Sequence, residues 1–161
     1  MEIIEVKTNA ELNQIKDLFR QYYDFLARDH GLDISYQGIA DELAALPGQF
    51  APPKGRLLLA VQSGQPIGCA ALRPLEAHVC ELKRMYVLLE FRGQGVGKAL
   101  AMTLIQEARQ IGYQLMRLDT ANFLTTAQKL YESIGFRSIA PYSDVPEDIR
   151  QVAIFMELAL M

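Results

Sequence analysis

The stretch that most constrains this chain is residues 92–98, which read Arg-Gly-Gln-Gly-Val-Gly-Lys. This stretch follows an apolar, strand-like segment and opens a segment whose apolar residues recur at helical spacing. Glycines at alternate positions let a backbone approach an anion closely, and the start of a helix presents free N–H groups at the positive end of the helix dipole. The stretch therefore predicts a pyrophosphate-binding loop between a strand and a helix.

Two other phosphate-binding patterns do not fit this loop. A Walker A loop requires glycine where Arg92 stands and a hydroxyl residue where Ala99 stands. A dinucleotide-binding fingerprint requires a third glycine where the chain has Lys98 or Leu100. What remains is Arg-x-x-Gly-x-Gly, which alone is also compatible with a glycine-rich turn that binds no ligand.

Length and composition narrow the class of protein. The chain has 161 residues, half of them hydrophobic, and a net charge of -3, which suits one domain with a core and leaves no basic surface for nucleic acid. No apolar run approaches the roughly 18 residues of a membrane span, and the start lacks the basic residues of a signal peptide, so we expect a cytoplasmic protein. Cys69 and Cys80 have no metal-ligand spacing with His30 or His78, which predicts reduced buried cysteines and no metal site.

Hydrophobic periodicity predicts a mixed α/β chain. A capping box at Thr8 and Glu11 starts the first helix, and residues 56–87 predict an antiparallel meander. The strand–helix–strand sequence after it favours parallel pairing of the flanking strands. The predicted strands are residues 3–7, 56–62, 66–73, 79–87, 114–120, 136–140 and 151–160; the later helices are residues 38–46, from the glycine loop to about 111, and 125–134.

A second motif lies at residues 127–136, Ala-Gln-Lys-Leu-Tyr-Glu-Ser-Ile-Gly-Phe. On a helix, Ala127, Leu130 and Ile134 share the buried face and Tyr131 lies beside it. From the residues alone, Tyr131 is either a tyrosine at the edge of the core or a hydroxyl directed along the sheet toward a bound substrate.

The two motifs in this order resemble the GNAT superfamily of N-acetyltransferases, whose acetyl-CoA loop reads Arg-x-x-Gly-x-Gly and whose later segment reads Leu-Tyr-Glu-x-x-Gly-Phe. The resemblance covers nearly the whole chain and implies a single domain over residues 1–161. The implied α/β fold is the acyl-CoA N-acyltransferase fold, a twisted mixed sheet of about six to seven strands, splayed into a V and flanked by about four helices.

The same resemblance implies an acetyl-CoA-dependent N-acetyltransferase, in which a primary amine of a small molecule or peptide attacks acetyl-CoA directly in a ternary complex. No metal, nucleic acid or membrane partner is implied, and a homodimer is compatible with it. A non-catalytic acyl-CoA binding or sensing domain is the alternative function.

The resemblance also assigns roles to residues. Tyr131 matches the tyrosine that protonates the leaving thiolate, and a bulge near Val87 would free an amide for the acetyl carbonyl. Leu124 stands where the family has an asparagine, and Asn122 is the expected substitute. The other implied acetyl-CoA contacts are Met85, Tyr86 and Val87 for the pantetheine arm, and Arg92, Gly93, Gln94, Gly95, Val96, Gly97 and Lys98 for the pyrophosphate.

Transfer to an amine requires a base, because an amine of pKa about 10.4 is less than about one part in a thousand neutral at pH 7. Glu81 resembles the general-base glutamate of the histone-type branch, and alternation is expected to place Glu81, Lys83, Met85 and Val87 on one face. A structural ion pair between Glu81 and Lys83 is the alternative. The acceptor cleft is expected around Tyr22, Tyr23, Asp29, His30, Asp33, Pro141, Tyr142 and Asp144.

Overall fold

The computed structural model describes residues 1–161 and contains seven strands and five α-helices. The strands are β1 (Glu2–Glu5), β2 (Arg56–Gln62), β3 (Gln65–Glu76), β4 (Val79–Val87), β5 (Leu115–Ala121), β6 (Arg137–Ile139) and β7 (Ala153–Ala159). The helices are α1 (Asn9–His30), α2 (Ile39–Ala45), α3 (Val96–Ile111), α4 (Thr125–Ile134) and α5 (Glu147–Arg150). None of them is long and apolar enough to cross a membrane.

All seven strands form one mixed sheet in the order β1-β2-β3-β4-β5-β7-β6. Strands β2 to β4 form the expected antiparallel meander, with β1 added antiparallel to β2, and the β4–β5 pair is the parallel pair predicted from the crossover through α3. The capping box is also confirmed, because Thr8 Oγ1 accepts from the Glu11 N–H at 3.1 Å while the Glu11 side chain accepts from the Thr8 N–H at 3.0 Å. The predicted mixed α/β fold is therefore confirmed.

Two main cores lie on opposite faces of this sheet. The larger cluster of 19 buried residues joins the sheet to α3 and includes Cys80 and Tyr131. The second cluster of nine buried residues joins the sheet to α1 and includes Cys69. Both cysteines are buried and free, as predicted.

The centre of the sheet opens between β4 and β5. These strands pair over only three residues each, from Val79 opposite Leu115 to Glu81 opposite Arg117. Beyond this point the facing edges of the two strands have no strand partner. The splayed sheet implied by the resemblance is therefore present, and its opening lies between the end of β4 and the end of β5.

A β-bulge interrupts β4 just beyond the point of separation. Arg84 and Met85 together oppose the single residue Ala70 of β3. Arg84 has a φ of +59°, in the left-handed region that few non-glycine residues adopt. An extra residue in one strand reverses the side-chain alternation that follows it.

The bulge makes one sequence expectation wrong, the placement of four β4 residues on one face. Lys83 pairs with a residue of the α1-side core, and Glu81 lies two positions before it on the same face. Met85 and Val87 instead pack against the α3-side core. Before the bulge Glu81 and Lys83 therefore face α1, whereas after it Met85 and Val87 face α3 and Tyr86 faces α1.

Candidate active site

The glycine loop ends β4 and begins α3 with a series of unpaired donors. The six consecutive backbone N–H groups of residues 93–98 have no acceptor within the protein. Gly93 and Gly95 have φ values of +77° and +83°, which side-chain-bearing residues rarely adopt. A Cβ on Gly97 would lie 3.4 Å from Leu130 Cδ2, so this glycine lets α3 pack closely against α4. The loop has the donors and the backbone shape of an anion site.

Charged side chains flank the loop in two different ways. Arg92 is held by the protein: its Nε donates to the Val87 carbonyl at 2.9 Å, and its guanidinium lies 4.8 Å from the ring centre of Phe25 and 5.5 Å from that of Tyr86. Lys98 is exposed and makes no ion pair within the chain. Lys98 is therefore free to contact an anion at the loop.

A cavity occupies the gap between β4 and β5 and is lined from both faces of the sheet. Met85 and Tyr131 line it from the side of α3 and α4, while Tyr22 and Lys83 line it from the side of α1. The gap therefore connects the two faces of the sheet. The remaining lining residues are Leu26, Leu32, Ile34, Tyr36, Gln37, Leu82, Arg84, Asp119, Thr120, Ala121, Leu124, Ala127, Ile149, Val152 and Ala153.

Tyr131 of α4 contributes a free hydroxyl to this cavity. Its ring is buried and packs edge-to-face on Phe136 at a centroid distance of 5.6 Å. Its hydroxyl makes no hydrogen bond within the protein, and no fully buried polar side-chain atom lacks a partner, so the hydroxyl is open to the cavity. Burial raises the pKa of Tyr131 well above its ordinary value, which keeps the hydroxyl protonated at neutral pH.

Asp119 of β5 is the only carboxylate that lines the cavity, and the sequence interpretation missed it. Its Oδ1 lies 3.2 Å from the Lys83 Nζ, across the gap between the strands, while Oδ2 accepts no hydrogen bond. An available signal was the alternation of β5, where Asp119 is an acidic residue following the buried Met116 and Leu118.

Glu81, the general base that the sequence predicted, is buried but does not line the cavity. Its Oε1 accepts from Arg73 at 2.7 Å, and its Oε2 accepts from the Tyr142 hydroxyl at 2.6 Å. The alternative of an ion pair with Lys83 is wrong, because Arg73 stands directly opposite Glu81 on β3 and Lys83 reaches Asp119 instead. Burial, followed by the neighbouring Glu81 charge, raises the pKa of Tyr142.

Arg84 ties the bulge to the helices on the α1 side. It is buried, donates to both carboxylate oxygens of Glu42 on α2 at 3.0 and 2.9 Å, and donates to Gln37 Oε1 at 2.6 Å. Tyr23 donates to the same carboxylate at 2.8 Å. Although burial alone would raise it, the pKa of Glu42 stays below its usual range because of Arg84. The bulge is thus held by a network in which every guanidinium nitrogen of Arg84 and both carboxylate oxygens of Glu42 are hydrogen-bonded.

The other expected site residues are distributed unevenly. Leu124 lines the cavity, whereas Asn122 is exposed and only its backbone N–H is bonded, to the Val152 carbonyl at 2.8 Å. Of the residues expected around the acceptor cleft, Tyr22 alone lines the cavity, and burial raises its pKa to about 12. The structure brings no three His, Cys, Asp or Glu side chains together as metal ligands.

Comparison with known proteins gives the family. A profile of the Acetyltransferase (GNAT) family matches residues 12–136. An uncharacterised N-acetyltransferase of Schizosaccharomyces pombe is 36% identical over 148 residues, which cover 91% of this chain and 88% of that protein. The uncharacterised N-acetyltransferase YjgM of Escherichia coli is 32% identical over 119 residues, covering 71% of each chain.

Solved structures agree with this sequence similarity at the level of the fold. A GNAT-family acetyltransferase of Staphylococcus aureus superposes with a TM-score of 0.79 at 21% identity, covering 99% of both chains. An aminoglycoside 6'-N-acetyltransferase solved with coenzyme A superposes with a TM-score of 0.71 at 18% identity, covering 100% of this chain and 98% of that one.

The chain belongs to the GNAT family of acetyltransferases. The sequence prediction of an acetyl-CoA-dependent N-acetyltransferase is confirmed at the level of the class.

Proposed function

We propose that the cavity between β4 and β5 is the active site, in which an acetyl group passes from acetyl-CoA to a primary amine of a small molecule or peptide. One observation carries the proposal: the Tyr131 hydroxyl and the Asp119 carboxylate, each with free hydrogen-bonding capacity, line one cavity that joins the two faces of the sheet. A protonated acid and an ionisable acceptor of protons in one cleft are the two groups that amide formation from a thioester needs.

Acetyl-CoA fits the α3 side of this opening. The unpaired N–H groups of residues 93–98 offer donors for the pyrophosphate, with Lys98 adding charge. Beyond Glu81, the open edge of β4 offers backbone groups to the pantetheine arm at Met85, Tyr86 and Val87, in the manner of an added strand. When bound, acetyl-CoA supplies the activated acyl group.

Two residues of the chain, Asp119 and Tyr131, then transfer the protons. Asp119 accepts a proton from the acceptor ammonium, directly or through one water, which leaves a neutral amine beside the thioester. Transfer forms the N–C bond of the amide and breaks the C–S bond of the thioester. Tyr131 donates its proton to the departing sulfur and regains one from solvent, while the second proton of the attacking nitrogen and the proton on Asp119 both leave to solvent. The net change is one amide, one free thiol and one proton released.

Glu81 stays a second candidate for the base. It does not line the cavity, and its two oxygens already accept from Arg73 and from the Tyr142 hydroxyl, so it would have to act through a relay of other groups. Asp119 needs no such relay, because it lines the cavity itself. We therefore assign proton removal to Asp119 and keep Glu81 as the alternative that the Asp119 and Glu81 variants distinguish.

A turnover assay tests the function directly. The protein is incubated with acetyl-CoA and a panel of amino acids, polyamines, aminoglycosides and peptides, and released thiol is measured, with each acceptor's N-acetylated form as the matched control. Release that requires a free amine supports the enzyme. Acetyl-CoA binding in calorimetry without turnover on the whole panel would favour the acyl-CoA binding or sensing domain, and absence of binding would contradict both.

Two finer statements belong to this proposal. A cytoplasmic location is part of this proposal, and fluorescence of the tagged protein in cells tests it. A homodimer is compatible with the family resemblance, and sedimentation of the purified protein measures the assembly state.

A further inference from the structure

The α1 side of the cavity combines apolar walls with one pair of opposite charges. The pair is Lys83 on β4 and Asp119 on β5, whose nitrogen and oxygen are 3.2 Å apart at the gap where the strands no longer pair. Only 6% of the Lys83 side chain and 19% of the Asp119 side chain are exposed. The apolar walls on this side are formed by Leu26, Leu32, Ile34, Ile149 and Val152.

This pair differs from the other buried ion pairs nearby because its carboxylate has an oxygen without a hydrogen-bond partner. Arg84 has partners in Glu42 and Gln37, and Glu81 uses both of its oxygens. Lys83 has three N–H donors and one partner, and Asp119 Oδ2 has no partner. A buried ion pair contributes little net stability compared with apolar packing. The unused hydrogen-bonding groups of this pair therefore point to a ligand that binds them.

We infer that the acceptor is a free α-amino acid with an apolar side chain, its ammonium bound by Asp119 and its carboxylate by Lys83. The inference rests on the proposed function, since it names the amine. In an α-amino acid both charged groups are attached to one carbon, so the zwitterion presents two opposite charges side by side, as the protein does. The apolar walls then receive the side chain.

Other amine classes complement this site less well. A polyamine or an aminoglycoside would bring further positive charge close to Lys83 and to Arg84, which also lines the cavity. A peptide N-terminus carries a neutral amide where the amino acid carries its carboxylate, so the Lys83 ammonium would lose its anionic partner when Asp119 binds the amine.

The first test uses the wild-type protein and matched pairs of acceptors. Leucine is compared with isopentylamine, phenylalanine with phenethylamine, and each amino acid with its own amide, by thiol release in the presence of acetyl-CoA. A charge-assisted contact with the carboxylate predicts that kcat/KM for the amino acid exceeds that of its partner by about tenfold or more. Equal or better turnover of the amines lacking a carboxylate overturns the inference.

The second test assigns the discrimination to Lys83. Lys83→Gln should reduce the amino-acid-to-amine ratio of kcat/KM to about one, and Lys83→Arg, which keeps the charge, should retain most of it. A ratio that Lys83→Gln leaves unchanged overturns the assignment, and the wild-type pairs decide the acceptor class even if this variant unfolds. Failure of the proposed function looks different, because then no amine of any class would be acetylated.

Discussion

Removing the hydroxyl of Tyr131 tests its role in catalysis with little expected effect on the stability of the protein. Tyr131→Phe removes a hydroxyl that makes no hydrogen bond in the protein, and the ring keeps its contact with Phe136. The free energy of unfolding should therefore change by no more than about 0.5 kcal/mol. For a chain of this size, that corresponds to a shift in Tm of no more than about 2 °C.

The rate should change far more than the stability. A positioned proton donor contributes about 100-fold to 10,000-fold, so kcat for thiol release should fall by at least about a hundredfold while acetyl-CoA affinity in calorimetry stays nearly the same. Because burial raises the pKa of Tyr131, the hydroxyl stays protonated at neutral pH. At any pH up to about 10, ionisation of Tyr131 should therefore cause no decrease in the wild-type kcat.

Tyr113 provides the matched control, since it is equally buried but lies outside the cavity. Its hydroxyl donates to the Lys54 carbonyl at 2.8 Å. Tyr113→Phe should lose about 1 kcal/mol, or about 2–4 °C in Tm, with kcat unchanged. If Tyr131→Phe resembles this control, losing stability and keeping its rate, Tyr131 is a packing residue and the proposed acid is refuted.

Three further changes test the base and the loop. Asp119→Asn should lower kcat/KM roughly a hundredfold at neutral pH, with a smaller deficit at alkaline pH where the acceptor ammonium loses its proton unaided; a pH–rate profile parallel to wild type would remove Asp119 from the proton path. Glu81→Gln should lower the free energy of unfolding by about 2 kcal/mol, and therefore lower Tm in a melting curve by about 4–8 °C. This loss is smaller than for breaking a fully buried ion pair, because a quarter of the Arg73 side chain is exposed. A changed shape of the pH–rate profile of Glu81→Gln would instead make Glu81 the base. Gly95→Val should weaken acetyl-CoA binding in calorimetry by over tenfold, whereas Gly64→Val, with a similar φ of +78° in the turn between β2 and β3, should not; equal affinities would take the loop out of the site.

The sequence was most informative where a local pattern decides the structure. The spans of β2, β4 and α4 have the predicted bounds, because periodicity and capping act within a few residues. The predicted end of the third strand at residue 73 was wrong, since β3 continues to Glu76 and the turn before β4 is shorter than expected. Pro74 is tolerated in a strand here because β2 pairs with β3 only as far as Leu72, so β3 is an edge at that point.

The sequence was least informative about contacts that depend on strand register. Glu81 meets Arg73, and Lys83 meets Asp119, only because of how β3, β4 and β5 align, and no local pattern encodes that alignment. The bulge did leave one trace. Lys83 and Arg84 are adjacent polar residues that break the alternation of β4, which is what an inserted residue would produce.

The inserted residue at Arg84 also divides β4 into two segments that can be redesigned independently. Before it, Glu81 and Lys83 face the α1 side, whereas after it Met85 and Val87, at the same alternate positions, face the α3 side. Substitutions at position 83 can therefore retune the amine while the strand edge facing the thioester arm keeps its shape. Deleting Arg84 would remove that independence, because Met85 and Val87 would then turn toward α1.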